Sequence, residues 1–193
     1  MTPPPRERGG FSLCQGIGLY SEYRGAVATL VEIDCRPETV NRKVRDAVTG
    51  PRVTRALMVV DAGFAINPPG LDTQMMGGLN DAPAMALTSS LHIKNGIPLE
   101  GSWDNYFYTR QWNTPPELRV VVMPSTSDKP SGAGELGVAP AFAAIACAYA
   151  RATARCRRAS RSTMAPSASS RCPSNRPHPS PPPTVLTAPA EEP

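Results

Sequence analysis

The sharpest constraint on how this chain folds is a change in composition near residue 151. The first 150 residues carry 13 Lys and Arg against 14 Asp and Glu, whereas the last 43 carry 7 Arg and only 2 Glu. Nine of the 23 prolines also lie in those last 43 residues. Such a segment cannot bury enough apolar surface to offset the entropy lost on ordering. We therefore expect residues 154–193 to be a disordered tail, preceded by one folded unit.

The numbers and spacing of the cysteines and histidines limit which disulfides, metal sites and catalytic triads the chain can form. The odd number of cysteines, with no CxxC pair and no histidine at metal-ligand spacing, indicates reduced thiols rather than a disulfide framework. The five are Cys14, Cys35, Cys147, Cys156 and Cys172. Two histidines nearly exclude histidine-based metal sites and catalytic triads. The sequence contains no run of about 18 apolar residues, so it predicts no membrane-spanning helix.

Hydrophobic patterning predicts an α+β fold. Alternating or β-branched runs predict strands over residues 26–33, 54–61 and 118–123, the first of them introduced by a Gly-Ile-Gly turn at Gly16. Helical spacing predicts helices over 72–91, with Pro83 as a kink or start, and over 141–151. Asn95-Gly96 predicts a type I′ hairpin turn. Strands and helices mix without a regular βαβ order, which favours α+β over α/β.

A glycine-rich stretch before the last helix holds the most informative carboxylate. Glu135 lies between Gly134 and Leu136, with Gly137 next and Pro140 suited to a first helical turn. Glycine permits close approach of a bulky ligand, so a lone carboxylate here is a candidate general base beside a cofactor. The alternative is a glycine-rich surface turn whose glutamate faces water.

Four strings occur in the order and spacing of one enzyme family. They are residues 59–63 followed by Asn67-Pro68, residues 74–78, residues 102–117, and residues 132–137. Together they resemble the C-terminal part of the large, molybdopterin-binding subunit of the xanthine dehydrogenase/aldehyde oxidase family of molybdenum hydroxylases. The isoquinoline 1-oxidoreductase beta-subunit type is the nearest match. The resemblance covers residues 16–153, with 36–52 as a local insertion and 1–15 as a lead-in.

The resemblance implies a reaction class and its requirements. Enzymes of this family hydroxylate a carbon of an N-heterocycle or an aldehyde with oxygen from water. The cofactor implied is molybdopterin, in its cytosine dinucleotide form. The partner implied is a small subunit with two [2Fe-2S] clusters, which takes the electrons away. The family's catalytic glutamate falls on Glu135, where it would act as the general base.

The resemblance also implies cofactor-binding residues. Gln74 matches a glutamine that contacts the molybdopterin, and its amide can donate and accept hydrogen bonds at once. Gly77 and Gly78 are expected to let a helix start pack closely, and Gly134 is the fourth cofactor-binding candidate. The alternative for Gln74 is an exposed helix glutamine.

Two other groups of residues receive structural interpretations. The aromatic segment from Trp103 to Trp112 is interpreted as core or subunit packing rather than a substrate-stacking wall, because aromatic side chains bury large areas. Asp61 and Asn67 are interpreted as residues that fix a turn.

The chain departs from the family in length and in its ending. It is several times shorter than family large subunits, so the alternative function is a catalytically inactive remnant that at most binds the partner subunit. A GC-rich back-translation of residues 154–164, read in another frame, gives TMPTGVPINH, which is the family's type of ending. We therefore hypothesise that residues 154–193 are frameshifted. The rival interpretation is a basic tail that binds nucleic acid or anionic membranes, but its arginines lack aromatic interleaving, so we expect no nucleic-acid partner.

Overall fold

The computed structural model describes residues 6–8, 11–44 and 49–153, and the predicted tail lies outside them. The strands are β1 (Arg6–Arg8), β2 (Phe11–Glu22), β3 (Gly25–Asp34), β4 (Arg52–Asp61), β5 (Ile93–Lys94), β6 (Ile97–Pro98) and β7 (Glu117–Val122). The helices are α1 (Pro37–Val40), α2 (Pro68–Pro83) and α3 (Val138–Thr153). The predicted α+β class is confirmed, as are the three predicted strands and the last helix.

One five-stranded sheet organises the described residues, in the order β1-β2-β3-β4-β7. Neighbours are antiparallel except β4 and β7, which are parallel. Helix α3 packs on β2 and β3, and α2 packs on α3 and β7, so both helices cover the same face. The core between sheet and helices is apolar and includes Val31, Met58, Val60, Leu79 and Ile145.

The Gly-Ile-Gly segment is not a turn, which corrects the prediction. Gly16 and Gly18 lie inside β2, and the chain reverses instead at residues 23–24, where Tyr23 has a φ of 52°. A Cβ atom on Gly16 would lie 2.0 Å from the carbonyl oxygen of Ala144, and one on Gly18 would lie 2.0 Å from that of Pro140. The glycines are therefore where α3 lies directly on the strand, a use of strand glycine that does not involve turning.

Helix α2 begins earlier than its hydrophobic spacing predicts. Asn67 Oδ1 accepts a hydrogen bond from the N–H of Gly70 at 3.1 Å, and Pro68 takes the first helical position. Pro83 ends the regular helix, and a wider turn over residues 84–88 follows, closed by the N–H of Ser89 on the carbonyl of Ala84 at 2.7 Å. A proline lacks the N–H that would continue the normal ladder, which accounts for the change.

The excursion over residues 90–113 lies on the surface. Its hairpin of β5 and β6 turns at Asn95 and Gly96, which have φ values of 53° and 78°, so the predicted type I′ turn is confirmed. Trp103 packs edge-on against Tyr106 and Tyr108, and the Arg110 guanidinium lies over the Tyr108 ring. Trp103 is nevertheless 69% exposed, so the interpretation of this segment as core packing is wrong for Trp103, and packing against another subunit stays a prediction.

A partly buried ion pair closes the far end of β3. Asp34 is almost fully buried and accepts hydrogen bonds from Nε and Nη2 of Arg36 at 3.0 and 2.7 Å, and from the Thr39 hydroxyl at 2.8 Å. Burial alone would raise the pKa of Asp34, but the hydrogen bonds from Arg36 and Thr39 outweigh it and hold the pKa below its ordinary value.

Replacing Arg36 by alanine is expected to lower the free energy of unfolding by about 1–3 kcal/mol, because a buried carboxylate loses its charged donor. Arg55→Ala is the matched control. Its pair with Glu117 has the same 2.7 Å separation but is exposed on both sides, so about 0–1 kcal/mol is expected. Urea titrations of both variants measure this difference.

The lowered pKa of Asp34 sets the direction in which its contribution to the free energy of unfolding changes with pH. Because the folded-state pKa of Asp34 is lowered, its stabilising contribution is present above the unfolded-state pKa and is lost as pH falls through the folded-state pKa. The difference between wild type and Arg36→Ala should therefore shrink in acid. A difference that stays constant with pH would contradict the ionised pair.

Candidate functional site

Two loops meet at one end of the sheet because β4 and β7 are parallel. The loop after β4 and the loop after β7 both leave from carboxyl ends, where ligand crevices form beside parallel strands. The N–H of Phe64 donates to the carbonyl of Lys129 at 3.0 Å, and the N–H of Ser131 donates to that of Ala62 at 2.9 Å. The Ser125 hydroxyl donates to the carbonyl of Gly63 at 2.9 Å. These bonds hold the loops as one surface.

Asp61 and Asn67 shape this surface, as interpreted from the sequence. The Asp61 carboxylate accepts hydrogen bonds from the N–H of Gly63 at 2.9 Å and from the Thr126 hydroxyl at 2.6 Å. These two bonds, the Thr126 hydroxyl first, hold the pKa of Asp61 below its ordinary value. Asn67 caps α2. Both residues therefore fix local backbone geometry, which confirms that interpretation.

Glu135 lies at the foot of α3 with an exposed side chain. Its neighbour Leu136 is buried, and a Cβ atom on Gly25 would lie 2.9 Å from Leu136 Cδ2, so the loop is pressed against the start of β3. The carbonyl of Glu135 accepts the N–H of Val138 at 3.0 Å, where the helix begins. Among the described residues, none donates a hydrogen bond to the Glu135 carboxylate. The backbone is anchored while the carboxylate stays available.

Gln74 approaches the glycine loop although the two lie 60 residues apart. Its Nε2 donates to the carbonyl of Gly134 at 2.8 Å. Both residues line an open cleft of about 390 Å³. The remaining lining residues are Ala62, Phe64, Ala65, Ile66, Asn67, Gly70, Leu71, Pro130, Ser131 and Ala133. No charged side chain lines this cleft, whose polar groups are amides, a hydroxyl and backbone.

The glycine candidates separate into two kinds. A Cβ atom on Gly78 would lie 3.3 Å from the carbonyl carbon of Gly137, so Gly78 lets α2 pack against the start of α3. A Cβ atom on Gly134 would meet nothing within 4 Å, and the φ angle of Gly134 is negative or extended. Neither packing nor backbone conformation within the described chain therefore requires a glycine at this position. Gly77 is equally open, but it is exposed on α2 and does not line the cleft.

Tyr20 joins the site although the sequence gives no sign of it. Its hydroxyl donates to the Glu22 carboxylate at 3.1 Å. This hydrogen bond, the charge of Glu22 and a smaller contribution from the charge of Glu135 raise the pKa of Tyr20. Tyr20 lies near the end of β2 and therefore at the end of the sheet that carries the glycine loop. Only the pairing of β2 beside this loop brings it there.

Within residues 6–8, 11–44 and 49–153, no group of three or more histidine, cysteine, aspartate or glutamate side chains is arranged to hold a metal ion. In the same residues, no helix combines the length and apolar character needed to cross a bilayer.

The family follows from comparison with known proteins. The family model for the molybdopterin cofactor-binding domain matches residues 15–115. The chain belongs to that family. Gln74, Gly77 and Gly78 fall within the matched residues, whereas Gly134 and Glu135 lie beyond them. The resemblance read from the motifs is thereby confirmed for the molybdopterin-binding domain.

Individual relatives match over a small part of their length. The membrane-bound aldehyde dehydrogenase (pyrroloquinoline-quinone) of Gluconacetobacter polyoxogenes is 34% identical over 93 residues, which are 48% of this chain and 12% of the relative. A nicotinate dehydrogenase subunit of Pseudomonas putida is 29% identical over 101 residues, 52% of this chain and 8% of the relative. Quinoline 2-oxidoreductase from Pseudomonas putida 86 superposes with a TM-score of 0.51 at 27% identity, covering 67% of this chain and 16% of that one.

Proposed function

We propose that this chain is a fragment of a molybdenum hydroxylase large subunit of the isoquinoline 1-oxidoreductase beta-subunit type. The parent enzyme hydroxylates an N-heterocyclic or aldehyde carbon with oxygen from water. Its cofactor is molybdopterin in the cytosine dinucleotide form, and it passes electrons to a small [2Fe-2S] subunit. The names of the relatives, which include an aldehyde dehydrogenase and a nicotinate dehydrogenase subunit, support this substrate range.

The hydrogen bond from Gln74 to the carbonyl of Gly134 carries the proposal. It joins two of the candidate cofactor-binding residues across a cleft, and Glu135 follows Gly134 directly. A surface glycine turn with no function needs no such tie to a helix 60 residues away. The bond therefore favours a built site over the alternative of a solvated turn.

The residues of the cleft fit part of a pterin cofactor. An uncharged, partly apolar wall with a glutamine amide suits a flat, hydrogen-bonding heterocycle. Gly134 leaves room for a ligand that approaches the backbone, since a Cβ atom there would meet nothing. Of the four cofactor-binding candidates, Gln74 and Gly134 line the cleft and are the residues we expect to hold the pterin. The lining carries no cation, so the anionic phosphates must be neutralised by groups elsewhere.

An exposed carboxylate directly after Gly134 supports Glu135 as the general base. When bound, the molybdenum cofactor supplies the oxidation chemistry. Glu135 contributes a carboxylate that no described donor engages, so an oxygen of its side chain can accept a proton from water or substrate beside Gly134. Leu136, buried directly after it, anchors the backbone that carries this side chain. The role of Glu135 is thus to hold and move a proton.

A second candidate is a catalytically inactive remnant. It is favoured by the open side of the cleft, which no described residue closes. Such a remnant would at most bind the partner subunit. The two candidates differ in whether molybdenum and pterin are retained.

Cofactor content tests the proposal. We expect a large subunit completed upstream of residue 1, and co-expressed with its [2Fe-2S] partner, to purify with molybdenum and pterin. Gln74→Ala in that subunit should lower occupancy several-fold, because it removes both the amide and the tie to Gly134. Metal analysis and pterin fluorescence measure the loss.

The neighbouring Thr73→Ala is the control. Thr73 is exposed on the same helix, and its hydroxyl donates to the carbonyl of Pro69 rather than to the cleft. Equal occupancy in the Gln74 and Thr73 variants would contradict contact with the cofactor. A folded, complete subunit without molybdenum would favour the remnant.

A further inference from the structure

Two arginines, Arg42 and Arg52, lie together at the end of the sheet opposite the candidate cleft. Arg42 follows α1, and Arg52 is the first residue of β4, whereas the cleft begins with Ala62, directly after that strand. The 10 residues of β4 span roughly 30 Å at about 3.3 Å each. Both arginines fall in residues 36–52, which the family resemblance implies to be a local insertion. The pair is therefore separate from the candidate site, and the resemblance assigns it no role.

Both guanidinium groups are held by one short loop. Nη2 of Arg42 donates to the carbonyl of Trp112 at 2.9 Å and to Oδ1 of Asn113 at 2.6 Å. Nη2 of Arg52 donates to the carbonyl of Thr114 at 3.4 Å. Because these acceptors belong to three consecutive residues, the two guanidinium groups lie side by side. The acceptors are uncharged, so the loop positions both groups without neutralising either.

The acidic side chains at this end of the sheet pair with other arginines. They are Asp34, Glu38 and Glu117. Among the described residues, no carboxylate forms an ion pair with Arg42 or Arg52. Burial and, secondly, the charge of Arg52 lower the pKa of Arg42. Two like charges are thus held close together, and only an anion can relieve their repulsion while both groups stay in place.

The guanidinium nitrogens show where an anion can bind. Nε of Arg42 and Nε of Arg52 are both buried, and neither has a hydrogen-bond partner among the described residues. Buried donors are nearly always paired in folded proteins, so both arginines have unused hydrogen-bonding capacity. Nη1 of each arginine donates to no described acceptor and is not buried. An anion can therefore reach the two Nη1 groups, and its charge would also compensate for the covered Nε groups behind them.

We propose that Arg42 and Arg52 form a binding site for a phosphate group. A phosphate monoester carries close to two negative charges at neutral pH, which matches two guanidinium charges, whereas a carboxylate would balance only one. The planar guanidinium also fits the oxygen geometry of phosphate, and its charge-assisted hydrogen bonds are roughly twice as strong as neutral ones. Lys43 follows Arg42 and is exposed, so a third positive charge lies nearby. The occupant is a soluble phosphate ester or free phosphate, which share this group.

Phosphate binding to the 193-residue chain tests this site without any cofactor. Inorganic phosphate and glycerol phosphate are titrated at neutral pH, with the ionic strength held constant by sodium chloride. We expect each to raise the thermal unfolding midpoint relative to chloride, because a ligand of the folded state stabilises it. Calorimetry then measures both affinities. Tighter binding of glycerol phosphate would identify a phosphate ester as the ligand, and tighter binding of inorganic phosphate would identify free phosphate.

Variants of the pair assign the site to these two residues. Arg42→Gln and Arg52→Gln should each weaken phosphate binding at least about tenfold, because each removes a charged donor. Arg52→Lys keeps the charge but not the planar group, so its loss should be smaller. Circular dichroism checks that each variant folds. The midpoint shift of the unmodified chain tests the site even where a variant does not fold.

Arg55→Gln is the matched control. It removes a positive charge from the same strand, but Arg55 is exposed and already pairs with Glu117. It lies about 10 Å along β4 from Arg52, which is about one Debye length at moderate salt. We therefore expect its phosphate affinity to change by no more than about twofold.

Three results would overturn the proposal. Equal midpoints in phosphate and chloride would show that the pair binds no phosphate. Equal losses in Arg52→Gln and Arg55→Gln would reduce the effect to general charge attraction. Binding seen only in Asp46→Asn, a position outside the described residues, would make a carboxylate of this chain the occupant. None of these measurements involves molybdenum, so their outcome is independent of the proposed function.

Discussion

Replacing Gly18 by alanine is expected to cost at least about 3 kcal/mol of unfolding free energy, enough to unfold a marginally stable chain. The added Cβ atom would lie 2.0 Å from the carbonyl oxygen of Pro140 and 2.9 Å from the amide nitrogen of Ala144. Both atoms belong to the backbone of α3, so no side-chain rotation relieves the contact. The helix must move away from β2, and the small residues packed there lose contact with the sheet.

A glycine in open space provides the control for this substitution. A Cβ atom on Gly132 would meet nothing within 4 Å, and the residue does not have a positive φ, so Gly132→Ala should change stability by no more than about 0.5 kcal/mol. Urea unfolding followed by circular dichroism measures both variants in the 193-residue chain. If Gly18→Ala fails to fold, its soluble yield relative to that of Gly132→Ala measures the same difference. Equal stability would mean that α3 does not lie on β2 as described.

The same glycines show why local pattern predicts some elements and misses others. The strands β3, β4 and β7 and the turn at Asn95-Gly96 are encoded by neighbouring residues, so they are predictable. The reason for glycine at positions 16 and 18 is a helix about 125 residues later in the chain. Nothing local distinguishes that use from a turn. The start of α2 does carry a signal, Asn67 followed by two prolines, but proline also marks breaks between elements.

The candidate site is predictable only through the order of its motifs. That order places Gln74 and Gly134 in one site, and the structure brings them within 2.8 Å. Composition or periodicity alone gives no reason for a helix glutamine to meet a loop 60 residues away. No sequence motif marks Tyr20. Strand pairing alone brings this residue near the loop. The interpretation of Trp103 as a core residue is wrong because aromatic content favours burial but does not identify the surface against which each side chain packs.

Glu135→Gln in the completed large subunit is expected to lower turnover by about 10²–10⁴-fold while leaving molybdenum content unchanged, because a positioned general base contributes rate enhancement of that order. Glutamine keeps the shape and exposure of the side chain but cannot take up a proton. The assay follows oxidation of an N-heterocycle and an aldehyde, with incorporation of ¹⁸O from labelled water as the check on reaction class.

The control must separate loss of a base from loss of negative charge. Glu22 is suitable, because its carboxylate and that of Glu135 both raise the pKa of Tyr20, while Glu22 lies on β2 and not in the glycine loop. If charge near Tyr20 were the only requirement, Glu22→Gln would impair turnover as much as Glu135→Gln. A selective loss in Glu135→Gln supports the base, and near-normal turnover refutes it. Loss of molybdenum along with turnover would instead make Glu135 a residue that retains the cofactor.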